Sequence, residues 1–356
     1  MVTWRVQSGG VSLPPRLLFV APALGSNAGW VTSQAEILCD KMGQAGYSTL
    51  LTSRVPTRAR RVLDTVISII RWRGAYDVAI VAVFSWKAFA ITDVATLVLR
   101  RLRKPIVLVL HGGDLPRFTR RHPRWAGRVL RRGDALAAPS RYLQSELLHL
   151  GLDIEVVANV IDLEEYPYRR RSPARPELLW MRTFEDIYNP AMAVEVLAEL
   201  TRRGRELHLT MGGQDRGLAG KVEARAAALG VSDRLTMAGF IDPPMKRVVM
   251  RDHDLFLNTN HIDNMPVSVV EAAAAGMAIV ATSVGGIPYL LDDGTTALLV
   301  ADGDVTAMAD AVEEILDDPE LAGHLSDGAR HLAEQSAWPH VREQLISLVD
   351  AVTDRR

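Results

Sequence analysis

Short apolar runs alternate with helical patterns along nearly the whole chain, and the scheme occurs twice. The first series of runs is Arg16–Pro22, Ser48–Ser53, Asp77–Phe84, Pro105–His111 and Ala135–Pro139, with helical periodicity over 30–45, 57–72, 86–103, 121–132 and 140–150. The second is Glu177–Met181, Glu206–Met211, Arg234–Ala238, Asp254–Asn258, Met277–Thr282 and Ala297–Val300, with helices expected near 190–203, 217–229, 243–251, 266–275, 304–317 and 319–334. Unbroken apolar runs of strand length, separated by helices, predict parallel sheets covered on both faces. The expected class is therefore α/β, with two doubly wound, Rossmann-like halves facing across a cleft. We place them at 1–163 and 164–336, joined within Val160–Arg175, which holds Pro167, Pro173 and the run Arg169-Arg170-Arg171. A last helix over 337–356 is expected to pack back on the first half. Ligands of open parallel sheets bind beyond the carboxyl ends of the strands, so the loops after those ends line the cleft.

At 356 residues each half has room for its own core. One cysteine, Cys39, excludes an intramolecular disulfide and fits a reducing compartment. Its place in an apolar helical pattern marks it as a small core residue. The first apolar run, Leu17 to Leu24, is too short to span a membrane and follows a mixed segment unlike a signal peptide. A cytoplasmic protein is expected. The net charge of −1 hides a division: residues 1–176 hold 26 Lys and Arg against 13 Asp and Glu, and the remainder hold 15 against 29. Such asymmetry suggests halves with different partners.

The most informative stretch is 263–288, DNMPVSVVEAAAAGMAIVATSVGGIP. Met265 to Gly276 reads as a helix with almost no polar side; Pro266 suits its first position, and Asp263 and Asn264 are natural capping types. Ser268 and Glu271 stand three apart and share a face. A carboxylate on an apolar, buried helix is costly without hydrogen-bond partners, and free amides at a helix start form an anion site. A strand from Met277 to Thr282 follows, then a turn at Gly285-Gly286. Together these features suggest a pocket for a phosphorylated, hydroxyl-rich ligand.

In this setting the chain resembles the retaining glycosyltransferases of family 4, which have the GT-B fold. Asp263 and Glu271, eight positions apart, resemble that family's donor-site carboxylate pair, and Gly285-Gly286-Ile287-Pro288 its downstream turn. His111-Gly112-Gly113-Asp114, Pro139-Ser140-Arg141, Asn159-Val160-Ile161-Asp162 and Gly239-Phe240 resemble further landmarks in order. The chain departs from the pattern in three places. Asp263 replaces the usual Glu. Arg182 lacks the lysine expected five residues on, where Ile187 stands. The first glycine loop, Gly25-Ser26-Asn27-Ala28-Gly29, is loose.

The resemblance implies transfer of a sugar from a nucleotide-sugar donor to a glycan or lipid-linked acceptor, with retention at the anomeric carbon. It implies no metal and no cofactor, the nucleotide sugar being a substrate. Its catalytic set would be His111, Asp263 and Arg182. The donor would meet Glu271, Asn264, Met265, Pro266, Ser268, Gly285, Gly286, Phe240 and Gly212, and the acceptor Gly25, Asn27 and Gly29. Arg182 suits bidentate phosphate contacts; an ordinary surface arginine is the plain alternative, as a structural ring is for His111 and a helix or turn cap for Asp114. A helix start at Asn189-Pro190, or Arg182 alone, would have to make up for the missing lysine. No His/Cys cluster suggests a metal site, and Asp292-Asp293-Gly294 reads as a turn. A nucleotide-sugar epimerase and a degenerate binding module remain open as alternatives.

Two basic patches stand in the first half: Arg58, Arg60, Arg61, Arg71 and Arg73, then Arg117, Arg120, Arg121, Arg124, Arg128, Arg131 and Arg132. Leu63, Val66, Ile67 and Ile70 make the first an amphipathic helix ending at Trp72. It reads either as a peripheral element on an anionic membrane, here the inner face, or as a core-facing helix with a solvated cationic side. Aromatic residues barely interleave with these arginines, which argues against nucleic acid.

Overall fold

The structure, a computed structural model, describes residues 14–354 apart from 26 and 28–31. Six parallel strands form the first sheet: β1 (Leu17–Val20), β2 (Thr49–Leu51), β3 (Val78–Val83), β4 (Ile106–Leu110), β5 (Ala135–Ala138) and β6 (Glu155–Val156), in the order β2-β1-β3-β4-β5-β6. Six more form the second: β7 (Glu177–Met181), β8 (His208–Gly212), β9 (Leu235–Gly239), β10 (Leu255–Asn258), β11 (Ala278–Thr282) and β12 (Leu298–Val300), in the order β12-β11-β10-β7-β8-β9. The central strands are almost wholly buried, β4, β10 and β11 at every residue. That is why they read as continuous apolar runs rather than alternating ones.

The helices of the first half are α1 (Gln34–Gln44), α2 (Arg58–Arg71), α3 (Phe89–Arg101), α4 (Leu115–Arg121), α5 (Pro123–Leu130) and α6 (Arg141–Glu146). Those of the second are α7 (Pro190–Arg202), α8 (Ala219–Leu229), α9 (Pro243–Asp252), α10 (Val267–Ala274), α11 (Ile287–Leu290), α12 (Val305–Asp317) and α13 (Pro319–Glu334). The last helix, α14 (Trp338–Thr353), returns to the first sheet: Val341, Leu345 and Leu348 join Leu17, Phe19 and Val107 in one buried cluster. Cys39 lies in the same cluster. The two passages of chain between the sheets run side by side, with Ile161 N–H donating to Ser336 O at 2.9 Å and Ile161 bridging Ala337 in parallel.

Local sequence reading departs from the fold in a few places. Strand β6 is only two residues long and was not expected. Leu115–Arg121 forms a helix of its own, and the single helix expected over 86–103 begins as a 3₁₀ turn at Trp86–Ala88 with Trp86 at φ 55°. Helix α10 starts at Val267; Pro266 is its N-cap rather than its first helical residue, and neither Asp263 nor Asn264 caps it.

The segment 160–175 does not behave as an open linker. Arg171 is fully buried and donates to the carbonyls of Met250 (2.7 Å) and His253 (3.3 Å), while Arg169 and Arg175 both bind the carboxylate of Asp254. Asp254 has no exposed surface. Burial by itself raises its pKa, but hydrogen bonds from Arg175 and Arg169 outweigh that and hold it at about 2. The arginine run is thus a clasp that fixes the connecting chain to the second sheet. Replacing Asp254 with Ala leaves a buried guanidinium without its counter-charge and is expected to cost about 3–5 kcal/mol in urea unfolding. Because the folded pKa lies below the unfolded value of about 3.9, the stabilisation is present above pH 4. It should be lost as pH falls from about 4 to about 2, and the Ala variant should lack that part of the acid transition.

Candidate functional site

In the second sheet the strand order reverses between β7 and β10, the switch point where open parallel sheets bind ligands. The loops leaving those two strands carry Arg182 and Asp263, and the fold brings them together. Arg182 Nη2 forms an ion pair with Asp263 Oδ2, with little exposure of either side chain. The Arg182 guanidinium also lies 4.1 Å from the centroid of the Tyr188 ring. Asp263 Oδ2 accepts a second bond from Asn260 Nδ2 (2.7 Å), and Oδ1 accepts from the Asn264 amide (2.7 Å). Asp263 therefore orients Arg182 and its own loop.

Asp263 and Asn264 also anchor neighbouring loops. Gly286 N–H donates to Asp263 O at 2.8 Å, and a Cβ on Gly285 or Gly286 would collide with the backbone of Asp263 or Asn264. The glycine pair is thus required first for this loop-to-loop approach. From the first half, Gly113 stands against the same backbone, and Ser140 Oγ donates to Asn264 Oδ1. Asn159 Nδ2 holds the Met265 carbonyl at 3.0 Å. Asn264 is therefore a strut between the halves. Gly212 packs against Ile241 under the same corner, where a Cβ has no room.

Glu271 is buried on α10, as an apolar helix requires, and its Oε1 accepts from Lys246 Nζ and Tyr166 OH, both at 2.7 Å. Burial, then the adjacent Glu271, pushes the Tyr166 hydroxyl well above the usual tyrosine range, so it stays a donor. Neither partner was identified from the sequence. The signal was only the general one that a buried carboxylate needs donors. Tyr166 lay in the supposed linker and Lys246 on a separate helix. Asn260 and Tyr188 were likewise missed.

No side chain caps α10, so its first amides and dipole face the switch point. Arg182 Nε, Asn258 Oδ1 and Nδ2, Asn260 Oδ1 and Ser268 Oγ are buried without a hydrogen-bond partner. All belong to the β7 and β10 ends or to α10. Buried polar atoms are normally satisfied, and a polar ligand at this corner would supply what the protein does not. Phe240, just after β9, is 38 % exposed and open to stacking. Asn189, at the start of α7, adopts φ 44° and makes no capping bond.

The first half contributes a different surface. His111 follows β4 and stacks on Phe84, with centroids 5.3 Å apart. Burial lowers its pKa to about 4, so the ring is neutral at physiological pH. Asp114 precedes α4 but does not cap it; its carboxylate accepts from the Trp86 indole. At the first loop the Gly25 amide is taken by Glu36 Oε1 (2.9 Å), part of a capping box with Ser33, and Asn27 turns back on Leu24 O. That loop presents no free amide at Gly25, and Gly29 lies outside the described residues. A cleft of about 400 Å³ between the halves is lined by Gly113, Asp114, Arg117, Tyr142, Tyr188 and Asp263.

Helix α2 packs one face on the core, with Ile69 in the first half's buried cluster, and exposes part of its apolar side. It buries Thr65, Ser68 and Ile69 and leaves Leu63, Ile67 and Ile70 exposed at 62 %, 50 % and 43 %. In the second patch Arg128 and Arg132 pair with Asp93, and Arg120 with Glu146, so that patch is partly neutralised. Among the described residues no helix is long and apolar enough to cross a membrane, and no His/Cys/Asp/Glu group could hold a metal ion.

Two family models match the chain: Glycosyltransferase Family 4 over residues 43–165 and Glycosyl transferases group 1 over residues 169–332. The α-D-kanosaminyltransferase of Streptomyces kanamyceticus is 32 % identical over 139 residues, covering 39 % of this chain and 36 % of that protein. The D-inositol 3-phosphate glycosyltransferase of Nocardia farcinica is 29 % identical over 245 residues, covering 63 % and 54 %. The chain thus spans about half or less of these curated relatives. Among solved structures, sucrose-phosphate synthase from Thermosynechococcus elongatus superposes with a TM-score of 0.81 at 14 % identity, over 96 % of this chain and 100 % of that one. The Anabaena protein HepE, solved with UDP-glucose, gives 0.75 at 15 % identity, over 95 % and 100 %. At such identity these likenesses establish the fold, which is GT-B.

The Lys246–Glu271 pair is open to a double-mutant cycle. Lys246→Met and Glu271→Gln are each expected to destabilise, and the double variant by less than their sum, with a coupling of about 0.5–3 kcal/mol by urea unfolding. Strict additivity would mean that the ion pair carries no energy.

Proposed function

Because the chain belongs to the group 1, family 4 glycosyltransferases, we propose that it moves a sugar from a nucleotide-sugar donor to a glycan or lipid-linked acceptor, with retention of anomeric configuration and without a metal ion. The observation that carries this reading is the switch-point corner of the second sheet. There Arg182, positioned by Asp263, meets the uncapped start of α10 and a group of buried polar atoms that lack partners. A diphosphate placed there would receive the Arg182 guanidinium and the α10 dipole. Ribose hydroxyls would reach Glu271, held ready by Lys246 and Tyr166, and the base would reach Phe240. That a fold neighbour was solved with UDP-glucose supports a donor of this class.

In the transfer itself, an acceptor hydroxyl oxygen forms the new bond to the anomeric carbon. The bond from that carbon to the diphosphate oxygen breaks, and the hydroxyl proton passes to the departing diphosphate. The work of the protein is to hold the reactants and to stabilise the leaving charge with groups already oriented. Arg182 takes the role otherwise shared with the absent lysine, and its stacking on Tyr188 and pairing with Asp263 hold it in one direction. Neutral His111 would hydrogen-bond the sugar as a donor or acceptor rather than as a cation. An epimerase would need free acid and base carboxylates in the cleft, whereas Asp114, Asp263 and Glu271 are each engaged. This supports transfer over elimination.

A thermal-shift screen against UDP-, GDP-, ADP- and TDP-sugars tests the donor. One class should raise Tm, since a ligand at 100 times its Kd stabilises by about 2.7 kcal/mol. Arg182→Ala and Glu271→Ala should reduce that shift. No response to any sugar nucleotide would sink the reading, and the anomeric configuration of the product by NMR decides retention.

We further propose that α2 docks on anionic lipid through Leu63, Ile67 and Ile70, with Arg60 and Arg71 beside them. Flotation with anionic vesicles should exceed that with neutral ones and fall for Leu63→Asp combined with Ile67→Asp. Equal flotation on both vesicles would reject docking.

A further inference from the structure

The first sheet has a switch point of its own, between β1 and β3, whose neighbours β2 and β4 lie on opposite sides. A cavity of about 1190 Å³ opens there, at the carboxyl ends of β1 and β3 and between α2 and α3. Its chemistry is opposite to that of the second sheet's site. Val62, Phe84, Trp86, Ile91 and Trp125 dominate the walls; Arg61 and Lys87 are its cations, and no described lining residue is a carboxylate. A volume above the usual range for ligand sites, with apolar walls, suits a ligand better than it suits a packing defect.

Two contacts connect this cavity to the transfer site. Phe84 lines it and stacks on His111. Trp86 lines it and donates to Asp114, which lines the smaller cleft beside Asp263. A molecule with its apolar part in the large cavity and its head at Trp86 would therefore point that head at the cleft. The side formed by α2 and α3 also exposes Leu63, Ile67, Val94 and Leu97, of which Val94 lines the cavity. An apolar chain entering from that side would meet apolar surface.

Resting on the transferase reading above, we propose that this cavity holds the hydrocarbon chain of the acceptor, an isoprenoid or acyl lipid with a phosphorylated head. Lys87 and Arg61 balance the head's charge at the mouth, and the head extends past Trp86 towards Asp263. The occupant is specified by the combination of apolar walls, cationic mouth and a lining without carboxylates. A bare sugar would leave the walls unused.

The test uses the whole chain and farnesyl monophosphate as the probe, with binding measured by calorimetry. Inorganic phosphate supplies the head alone and farnesol the tail alone. Ala90 lies on the cavity wall in the first turn of α3 and is exposed, so Ala90→Trp fills space without entering the core. Farnesyl phosphate should bind saturably, and Ala90→Trp should weaken it at least about tenfold while UDP binding stays within about twofold. Lys87→Glu should weaken farnesyl phosphate but leave farnesol unchanged. If Ala90→Trp does not fold by circular dichroism, Val94→Trp, at another exposed wall position, takes its place. Undiminished binding by the filled variant, no binding by the wild type, or displacement of farnesyl phosphate by inorganic phosphate at equal concentration would overturn the proposal. Farnesyl phosphate binding without any binding of UDP would instead count against the donor reading and leave the cavity assignment standing.

Discussion

The loop at Asp263 is the constraint on which the site depends. One carboxylate holds Arg182, Asn260 and the Asn264 amide, and the backbone beside it receives Gly286 and stands against Gly113 and Gly285. Loops from β7, β10 and β11 and two from the other half of the molecule, after β4 and β5, therefore converge on two residues. A short acidic side chain suits this position. A longer one would move the carboxylate away from its own loop amide and Arg182 away from Tyr188. The departure from the family's usual glutamate is thus matched by a local network in which Asp263 acts mainly on other protein groups.

The two halves place chemically different surfaces at the same topological location. At the switch point of the second sheet, charged and amide side chains collect and several lack partners. At that of the first sheet, aromatic and aliphatic side chains enclose an apolar space. The charge division of the sequence follows the same line, with arginines concentrated around the apolar half. A shared architecture leaves such differences to the loops, because strand ends set position while loop residues set chemistry.

Much of this was legible in the sequence. Strand runs such as Asp77–Phe84 and Glu177–Met181 are short, apolar and bounded by turn residues, and burial on both faces leaves no other reading. Glu271 stood out because a carboxylate on an all-apolar helix demands donors. What was hidden depends on tertiary approach. Lys246 and Tyr166 lie 25 and 105 residues from Glu271, and no local pattern connects them. The run Arg169-Arg170-Arg171 resembles a solvated linker until Asp254 is seen beneath it. The orientation of α2 was ambiguous because its apolar residues support two faces equally well. Only the packing reveals that Thr65 and Ser68 turn inward while Leu63 and Ile67 turn out.

The paired passages between the sheets have a mechanical consequence. A single connecting strand would let one half swivel, twist and slide against the other. Here Ile161 is bonded to Ser336 and bridged to Ala337, so the two connections are tied together at one point. Two connections tied side by side restrain swivel and slip of one half against the other more than one alone would. Any opening between the halves must draw Gly113 from the Asp263 backbone and part Ser140 from Asn264.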